Sequence, residues 1–240
     1  MTIHQSSFRA RKEVAEGTMA FHFEKPEGFT FKPGQAIDVI LADPSLSDAA
    51  SARHTFSLVS APFQDELIVA TRMRDSAFKR ALKLLPIGAA AQLDGPFGSL
   101  ILHNNRARPA VLIAGGIGIT PFMSIVQQAA HDHLAQDLVL LYSNRRPEDA
   151  AFLAELQQLE HQNNRFRLIA TMTQMQKSAR AWEGETRLID AEFVTTISRE
   201  LSSPIYYVAG PPAMIEGVRQ TLNRAGVDDD DIRSEDFFGY

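Results

Sequence analysis

Between Thr18 and Leu102, apolar and polar residues alternate over short stretches, with Met19, Phe21 and Phe23 on one face and Ile37, Val39 and Leu41 on another. Period-two runs continue at residues 55–59, 67–71 and 90–93, separated by Pro-Gly, Ala-Pro and Leu-Pro turns. That spacing predicts a small antiparallel barrel or sandwich. One helix interrupts it, with Phe78, Leu82 and Leu85 at helical spacing and Pro86 and Gly88 ending it. After residues 104–109 the texture changes. Continuous apolar strands at 110–114, 138–142, 167–171 and 205–209 alternate with helical patterns at 121–133, 147–161, 190–200 and 213–225. A strand-helix alternation of this kind predicts an α/β doubly wound parallel sheet. The boundary is expected near residue 105, giving an all-β unit at 1–105 and an α/β unit at 106–240. Residues 1–11 mix polar, basic and apolar side chains without a hydrophobic signal core.

Composition narrows the chemistry. The 240 residues contain no cysteine, which excludes disulfides, thiolate nucleophiles and any thiolate-held iron–sulfur cluster within this sequence. No apolar run is long enough for a membrane helix, so a cytoplasmic location without membrane insertion is expected. Residues 1–105 hold eleven Lys/Arg against eleven Asp/Glu, and residues 106–240 hold thirteen against eighteen. Neither half has the positive excess that nucleic-acid binding requires. One local cluster stands out: Arg72, Arg74, Lys79, Arg80 and Lys83, with only Asp75 among them.

Three constellations carry chemistry. In Val111-Leu112-Ile113-Ala114-Gly115-Gly116-Ile117-Gly118-Ile119-Thr120-Pro121 an apolar strand runs through glycines into a helix, with Thr120 expected as the cap and Pro121 at the first helical position. Glycines let a backbone approach a pyrophosphate, and the helix start supplies free N–H donors. Tyr206-Tyr207-Val208-Ala209-Gly210-Pro211-Pro212-Ala213-Met214 repeats the strand-to-helix pattern. Both loops fall at the carboxyl ends of parallel strands, where ligands bind. In the first half, Arg53-His54-Thr55-Phe56-Ser57 puts His54 and Phe56 on one strand face and Ser57 on the other. His131, His133 and His161 lack a ligand spacing that would make them a metal site, and none is assigned. Glu148 and Asp149 read as a solvated face or a helix start.

Taken together, these motifs resemble the two-domain ferredoxin–NADP+ reductase-type flavoproteins over nearly the whole sequence. The family's Phe-x-x-Gly-Gln is similar to Phe31-Lys32-Pro33-Gly34-Gln35, and its Arg-x-Tyr-Ser flavin strand to His54-Thr55-Phe56-Ser57. Its pyrophosphate turn resembles Ser76-Ala77-Phe78-Lys79-Arg80-Ala81-Leu82, and its Gly-Pro-x-Gly resembles Gly95-Pro96-Phe97-Gly98. The two nucleotide loops complete six motifs in family order.

The resemblance implies a flavin-binding barrel followed by a nucleotide-binding domain, with FAD ahead of FMN as cofactor and NAD(P)H as electron donor. Phe56 would lie against the flavin ring, Ser57 near its hydride-accepting nitrogen, and Glu235 would join them as the catalytic set. His54 would meet a flavin phosphate, as His does in the NADPH-oxidase branch. Thr55, Thr71, Ser76, Ala77, Phe78 and Lys79 would complete the flavin site. Gly116, Gly118, Thr120, Gly210 and Pro211 would hold the dinucleotide. Arg145, in a pair with Arg146 after the second parallel strand, leans toward a 2′-phosphate. Phe237 or Tyr240 would cover the flavin.

Departures from the pattern matter as well. His54 replaces the family's Arg, with Arg53 beside it as a candidate to compensate, and Ala209 removes any thiol role beside the nicotinamide. The implied activity is a flavin-dependent NAD(P)H reductase serving a ferredoxin, a flavodoxin or a small-molecule acceptor, with the Arg72–Lys83 cluster as its dock. A free-flavin or ferric reductase and a non-catalytic flavin relay subunit remain as alternatives.

Overall fold

A computed structural model describes residues 3–42, 46, 48 and 51–237. Phenylalanines decide the first layer. Phe8, Phe21 and Phe23 are fully buried, with Phe8 and Phe23 ring centroids 5.6 Å apart, and they fill a barrel lined by Ile37, Val39, Leu67 and Leu93. Its strands are β1 (Ile3–Ala15), β2 (Thr18–Glu24), β3 (Ala36–Ile40), β4 (Arg53–Ser57), β5 (Glu66–Arg72) and β6 (Ala90–Phe97), in the order β4-β3-β6-β1-β2-β5. A bridge between Leu58 and Val69, with Val59 N–H donating to Ile68 at 2.7 Å, closes the sheet on itself. Helix α1 (Ala77–Leu84) plugs the barrel with Phe78, Ala81 and Leu82.

Strand β1 corrects the expected start at Thr18. It runs for 13 residues and pairs with both β2 and β6. Its alternation is masked because Arg9, Arg11, Lys12 and Glu13 fill so much of it that few apolar positions remain to mark a period. The barrel rather than the local pattern makes it a strand.

The second sheet is parallel throughout, in the order β11-β10-β7-β8-β9, with β7 (Ala110–Gly115), β8 (Leu138–Asn144), β9 (Phe166–Met172), β10 (Ile205–Gly210) and β11 (Ile232–Asp236). Every residue of β7 and β10 is buried, as expected of strands covered on both faces. Helices α2 (Ile119–His131) and α3 (Leu153–Gln162) cover the face bearing Leu112 and Leu140, and α4 (Ala191–Ser198) and α5 (Pro212–Arg224) cover the face bearing Ile113 and Leu141. The chain runs β7-β8-β9 outward, then crosses back to lay β10 on the other side of β7. The switch point therefore lies between β7 and β10. Barrel residues Ala20, Val59 and Ala70 join the same apolar cluster as α2, so the barrel and the parallel sheet share a packed seam. Among the described residues no helix is long and apolar enough to cross a membrane.

Two helix boundaries differ from expectation. Residues Gly116–Gly118 form a 3-10 turn that feeds directly into α2, so the cap is Gly118, and the Thr120 hydroxyl donates to Ile117 at 3.1 Å instead of capping. The pattern at 147–161 splits into a turn at Pro147–Asp149 and α3, with Phe152 at φ 61° between them.

Candidate functional site

Strand β4 alternates, and the site follows from that. His54 and Phe56 face the side of Val39 and Ile37, while Arg53, Thr55 and Ser57 face outward. A cleft of about 500 Å3 opens where β4 meets the end of β5, the first turn of α1 and the tail of β11. Its walls bring together His54, Thr55, Phe56, Ser57, Thr71, Lys79, Glu235 and Phe237, eight residues singled out from the sequence. Arg53, Ala70, Arg72, Ile117 and Asp236 also line it and were not among the assigned site residues. Tyr240 lies outside the described residues. The volume falls within the range of small-molecule and cofactor sites, roughly 300–1,000 Å3.

At the inner end the Ser57 hydroxyl donates to the Glu235 carboxylate at 3.1 Å, joining the barrel to the last parallel strand across 178 positions of sequence. Burial raises the Glu235 pKa above its ordinary value, and the Ser57 hydrogen bond offsets part of that rise. Phe237, whose N–H donates to Gly210 at 3.0 Å, places its ring in the cleft from the nucleotide side.

At the outer end lie three rings and a buried cation. His54 stacks on Phe56 with centroids 4.6 Å apart, and Phe78 closes in at 5.3 Å from His54. His54 Nδ1 sits 2.9 Å from the Thr55 carbonyl, which can only accept, so Nδ1 carries the proton. Burial is the main cause lowering the His54 pKa, with Lys79 contributing, so the ring favours the neutral form. Lys79 is 7% exposed; its ammonium donates to the Arg72 carbonyl at 2.8 Å and faces no carboxylate among the described residues. Burial lowers its pKa too, followed by repulsion from Arg74. Lys79, not His54, is the standing positive charge here. Ser76 caps α1 by accepting from Lys79 N–H at 3.2 Å, while the other first-turn amides have no intrahelical acceptor. A lone buried cation beside free helix amides is a donor set for a phosphate-bearing ligand.

Arg53 is not available to compensate for His54. Its guanidinium is held by Asp38 at 2.8 Å and Asp94 at 2.9 Å, and the Thr55 hydroxyl donates to the same Asp38. The expected basic dock shrinks for the same reason. Arg72 faces Asp149, Arg80 pairs with Asp75 and Lys79 is buried, leaving Arg74 and Lys83 as its exposed cations with no ion-pair partner among the described residues.

The glycine loop reaches the cleft through Ile117, whose neighbours line the β7–β10 switch point. Gly116 has φ +53°, a conformation that favours glycine. A side chain on Gly118 would come 2.2 Å from the Ala209 carbonyl oxygen, so the two strand-to-helix loops touch backbone to backbone. Gly210 and Pro211, at the end of β10, pack beside this loop: an added carbon on Gly210 would lie 3.3 Å from Gly115 Cα, and one on Gly115 would lie 3.3 Å from Pro211 Cδ. Arg145 sits apart, exposed at the end of β8, where its carbonyl accepts from Gln174 N–H at 2.8 Å. Its neighbour Arg146 is engaged by Asp149 and Glu16, each at 2.9 Å. Glu148 and Asp149 are not a solvated face: Glu148 accepts from Ser178, Ala179 and Arg180, and Asp149 is ion-paired. Among the described residues no group of His, Asp and Glu is placed to hold a metal ion.

Comparison with known proteins agrees with this geometry. Residues 112–220 match the family model of the oxidoreductase NAD-binding domain. The chain is 26% identical to ferredoxin–NADP reductase B of Sorangium cellulosum, over 82% of each sequence. It is 24% identical to the glycine betaine monooxygenase reductase subunit of Chromohalobacter salexigens over 92% of the chain, but spans 60% of that relative's length. Among solved structures, a ferredoxin NADP+ reductase from Neisseria gonorrhoeae superposes with a TM-score of 0.81 at 22% identity, covering 98% of this chain and 99% of that one. With a matched NAD-binding segment beside a six-stranded barrel in this order, the chain is similar in sequence and fold to the ferredoxin–NADP+ reductase-type FAD/NAD(P) oxidoreductases.

Proposed function

We propose that the chain is an FAD-dependent NAD(P)H reductase that passes electrons to a separate redox protein such as ferredoxin or flavodoxin, in the cytoplasm. One observation carries this reading. Ile117, between two glycines of the nucleotide loop, lines the same cleft as Phe56 and Ser57 of the barrel. A nicotinamide held at the β7–β10 crevice and a ring held against β4 would therefore meet at one place. The relatives named as reductase subunits and ferredoxin–NADP reductases support the same reading.

The barrel, residues 1–105, is the flavin-binding unit in this proposal, and residues 106–240 are the NAD(P)-binding unit. FAD, when bound, accepts a hydride and returns electrons one or two at a time. The protein's part is to bind, align and exclude water. Lys79 and the α1 amides would hold the phosphates, with His54 able to add charge only on protonation. Phe56 would pack against the ring from the barrel side, and Phe237, on the opposite wall of the cleft, would shield it from solvent. Phe237 must move aside when nicotinamide binds. Ser57 gives its one proton to Glu235, which fixes the direction of the hydroxyl and leaves its oxygen facing the cleft as an acceptor. Gly116, Gly118, Thr120, Gly210 and Pro211 shape the dinucleotide crevice.

The absorbance spectrum of the purified protein, recorded before and after anaerobic NADH and NADPH, tests this directly. A bound flavin bleached by one nucleotide is the expected result. A colourless protein that reduces added FMN or FAD would instead identify a free-flavin reductase. Bound flavin untouched by either nucleotide would overturn the proposal in favour of a relay subunit.

Nucleotide choice has its own test. With Arg146 engaged, Arg145 is the cation free to meet a 2′-phosphate. A charge-assisted hydrogen bond contributes about 1.5–3 kcal/mol, so Arg145→Ala should lower kcat/KM for NADPH about 10- to 100-fold while NADH changes little. Equal losses for both nucleotides would remove Arg145 from 2′-phosphate recognition.

A further inference from the structure

Asp149 stands where three parts of the molecule converge. It lies in the turn after β8, four residues beyond Arg145 in sequence. Its carboxylate accepts from Arg146 through two contacts, Nη2 at 2.9 Å and Nε at 3.1 Å, and faces Arg72 of β5 at 3.5 Å. Arg146 also reaches Glu16, in the turn between β1 and β2, at 2.9 Å, and the Glu16 N–H donates to the Glu148 carbonyl at 2.8 Å. Asp149 is only 10% exposed, and both arginines are 25% exposed, so these pairs are shielded more than surface pairs are. Arg72 in turn lines the flavin cleft and offers its carbonyl to the buried Lys79 ammonium.

We propose that Asp149 is a positioning residue for hydride transfer: it clamps the turn after β8 to the end of β5, fixing the nucleotide-binding sheet relative to the cleft wall. The proposal rests on the reductase reading for its kinetic consequence and on the contacts above for its structural one. The turn is the only segment joined to both Glu16 and Arg72 by ion pairs among the described residues. It directly follows the strand end that presents Arg145. Placement of a nucleotide at that strand end is thereby tied to placement of the β5 wall, and a shift of about 1 Å between reacting groups can cost on the order of 100-fold in rate.

The test uses the full chain and Asp149→Asn, which keeps shape and removes charge. Its limiting rate of flavin reduction at saturating nucleotide should fall about tenfold, with the nucleotide KM changed less than threefold. Asp149→Glu should recover part of the rate, and Arg72→Gln should add little to Asp149→Asn, because the Arg72–Asp149 pair is already broken there. Arg165→Gln, which breaks the exposed Arg165–Asp137 pair, is the control and should leave the rate unchanged. Hydrogen exchange of the Glu16 amide supplies a readout independent of turnover, and should accelerate about tenfold in Asp149→Asn. A wild-type rate in that variant, a lowered Tm with an unaltered rate, or additive effects of the two substitutions would each overturn the positioning role. If the wild type is not reduced by nucleotide, the reductase reading fails on its own. Unchanged Glu16 exchange would then overturn the clamp as well, and faster exchange would support it as a structural tie.

Discussion

Ser57→Ala should lower the limiting rate of flavin reduction by NAD(P)H about 100-fold while leaving flavin bound. General acid–base and hydrogen-bonding groups positioned at a reacting centre contribute roughly 10²- to 10⁴-fold, and Ser57 is the hydroxyl at the place where barrel and nucleotide loop meet. It is 3% exposed, so no solvent hydroxyl stands ready to replace it. Stopped-flow bleaching of the flavin measures the rate, and the flavin absorbance of the purified variant reports retention. A rate within threefold of wild type would remove Ser57 from the catalytic set.

Glu235, the partner of Ser57, makes a second observable from the same contact. Its pKa is raised in the folded protein, so the folded state holds a proton that the unfolded state has released. The protonated state's contribution to stability is fully present below the unfolded pKa and is lost as pH rises through the higher folded value. Glu235→Gln abolishes that titration. The variant's Tm should therefore gain on wild type as pH is raised from about 4.5, the ordinary value, toward and past the raised one. Thermal melts between pH 5 and 8 (roughly the window where this linkage acts) check it. A Tm difference that does not vary with pH would show the carboxyl to be unperturbed.

Gly118→Ala is expected to be strongly damaging. The added carbon would sit 2.2 Å from the Ala209 carbonyl oxygen, 2.5 Å from its carbon and 2.8 Å from Gly210 N, all of them backbone of the neighbouring loop. Backbone cannot rotate away as a side chain can, so the β7 and β10 loops must separate. Overpacking of this kind costs typically about 1–3 kcal/mol, sometimes more, which for a chain of this size lowers Tm by about 2–12 °C. Nucleotide affinity should fall with it, because the same two loops form the crevice. Gly217→Ala is the companion measurement. Gly217 lies within α5 with nothing within 4 Å of the added carbon. There the helix should gain about 0.5–1 kcal/mol. A Gly118→Ala protein that melts and binds nucleotide as the wild type does would show that the loops can part freely.

How much of this was legible in the sequence depended on the range of the interaction. The apolar runs of β7, β8 and β10 declare buried parallel strands because every position along them is covered. The amphipathic spacing of Phe78, Leu82 and Leu85 declares α1 for a similarly local reason. The glycine loops were legible because close backbone approach requires a small residue whatever the partner. His54, Thr55, Phe56, Ser57, Thr71, Lys79, Glu235 and Phe237 were assigned together from motif resemblance, and the fold gathers them around one cleft.

Charged and irregular positions were a different matter. Arg53 was a candidate phosphate ligand until Asp38 and Asp94, 15 and 41 positions away, were found holding it. Asp149 reads as a solvated face or a helix start; it does lie in the helical turn Pro147–Asp149, but β5 brings Arg72 beside it. Strand β1 carried too many charges to show a period, and Thr120 looked like a cap until the 3-10 turn at Gly116–Gly118 moved the helix start ahead of it. Sequence by itself determined the two textures, the order of elements from β2 to α5 and the glycine-lined loops, since burial pattern and backbone freedom are properties of neighbouring residues. Only the tertiary structure decided which cations are free and which carboxylates are paired. An ion pair is formed between side chains that the fold brings within about 4 Å, and nothing in either residue's own neighbourhood records its partner.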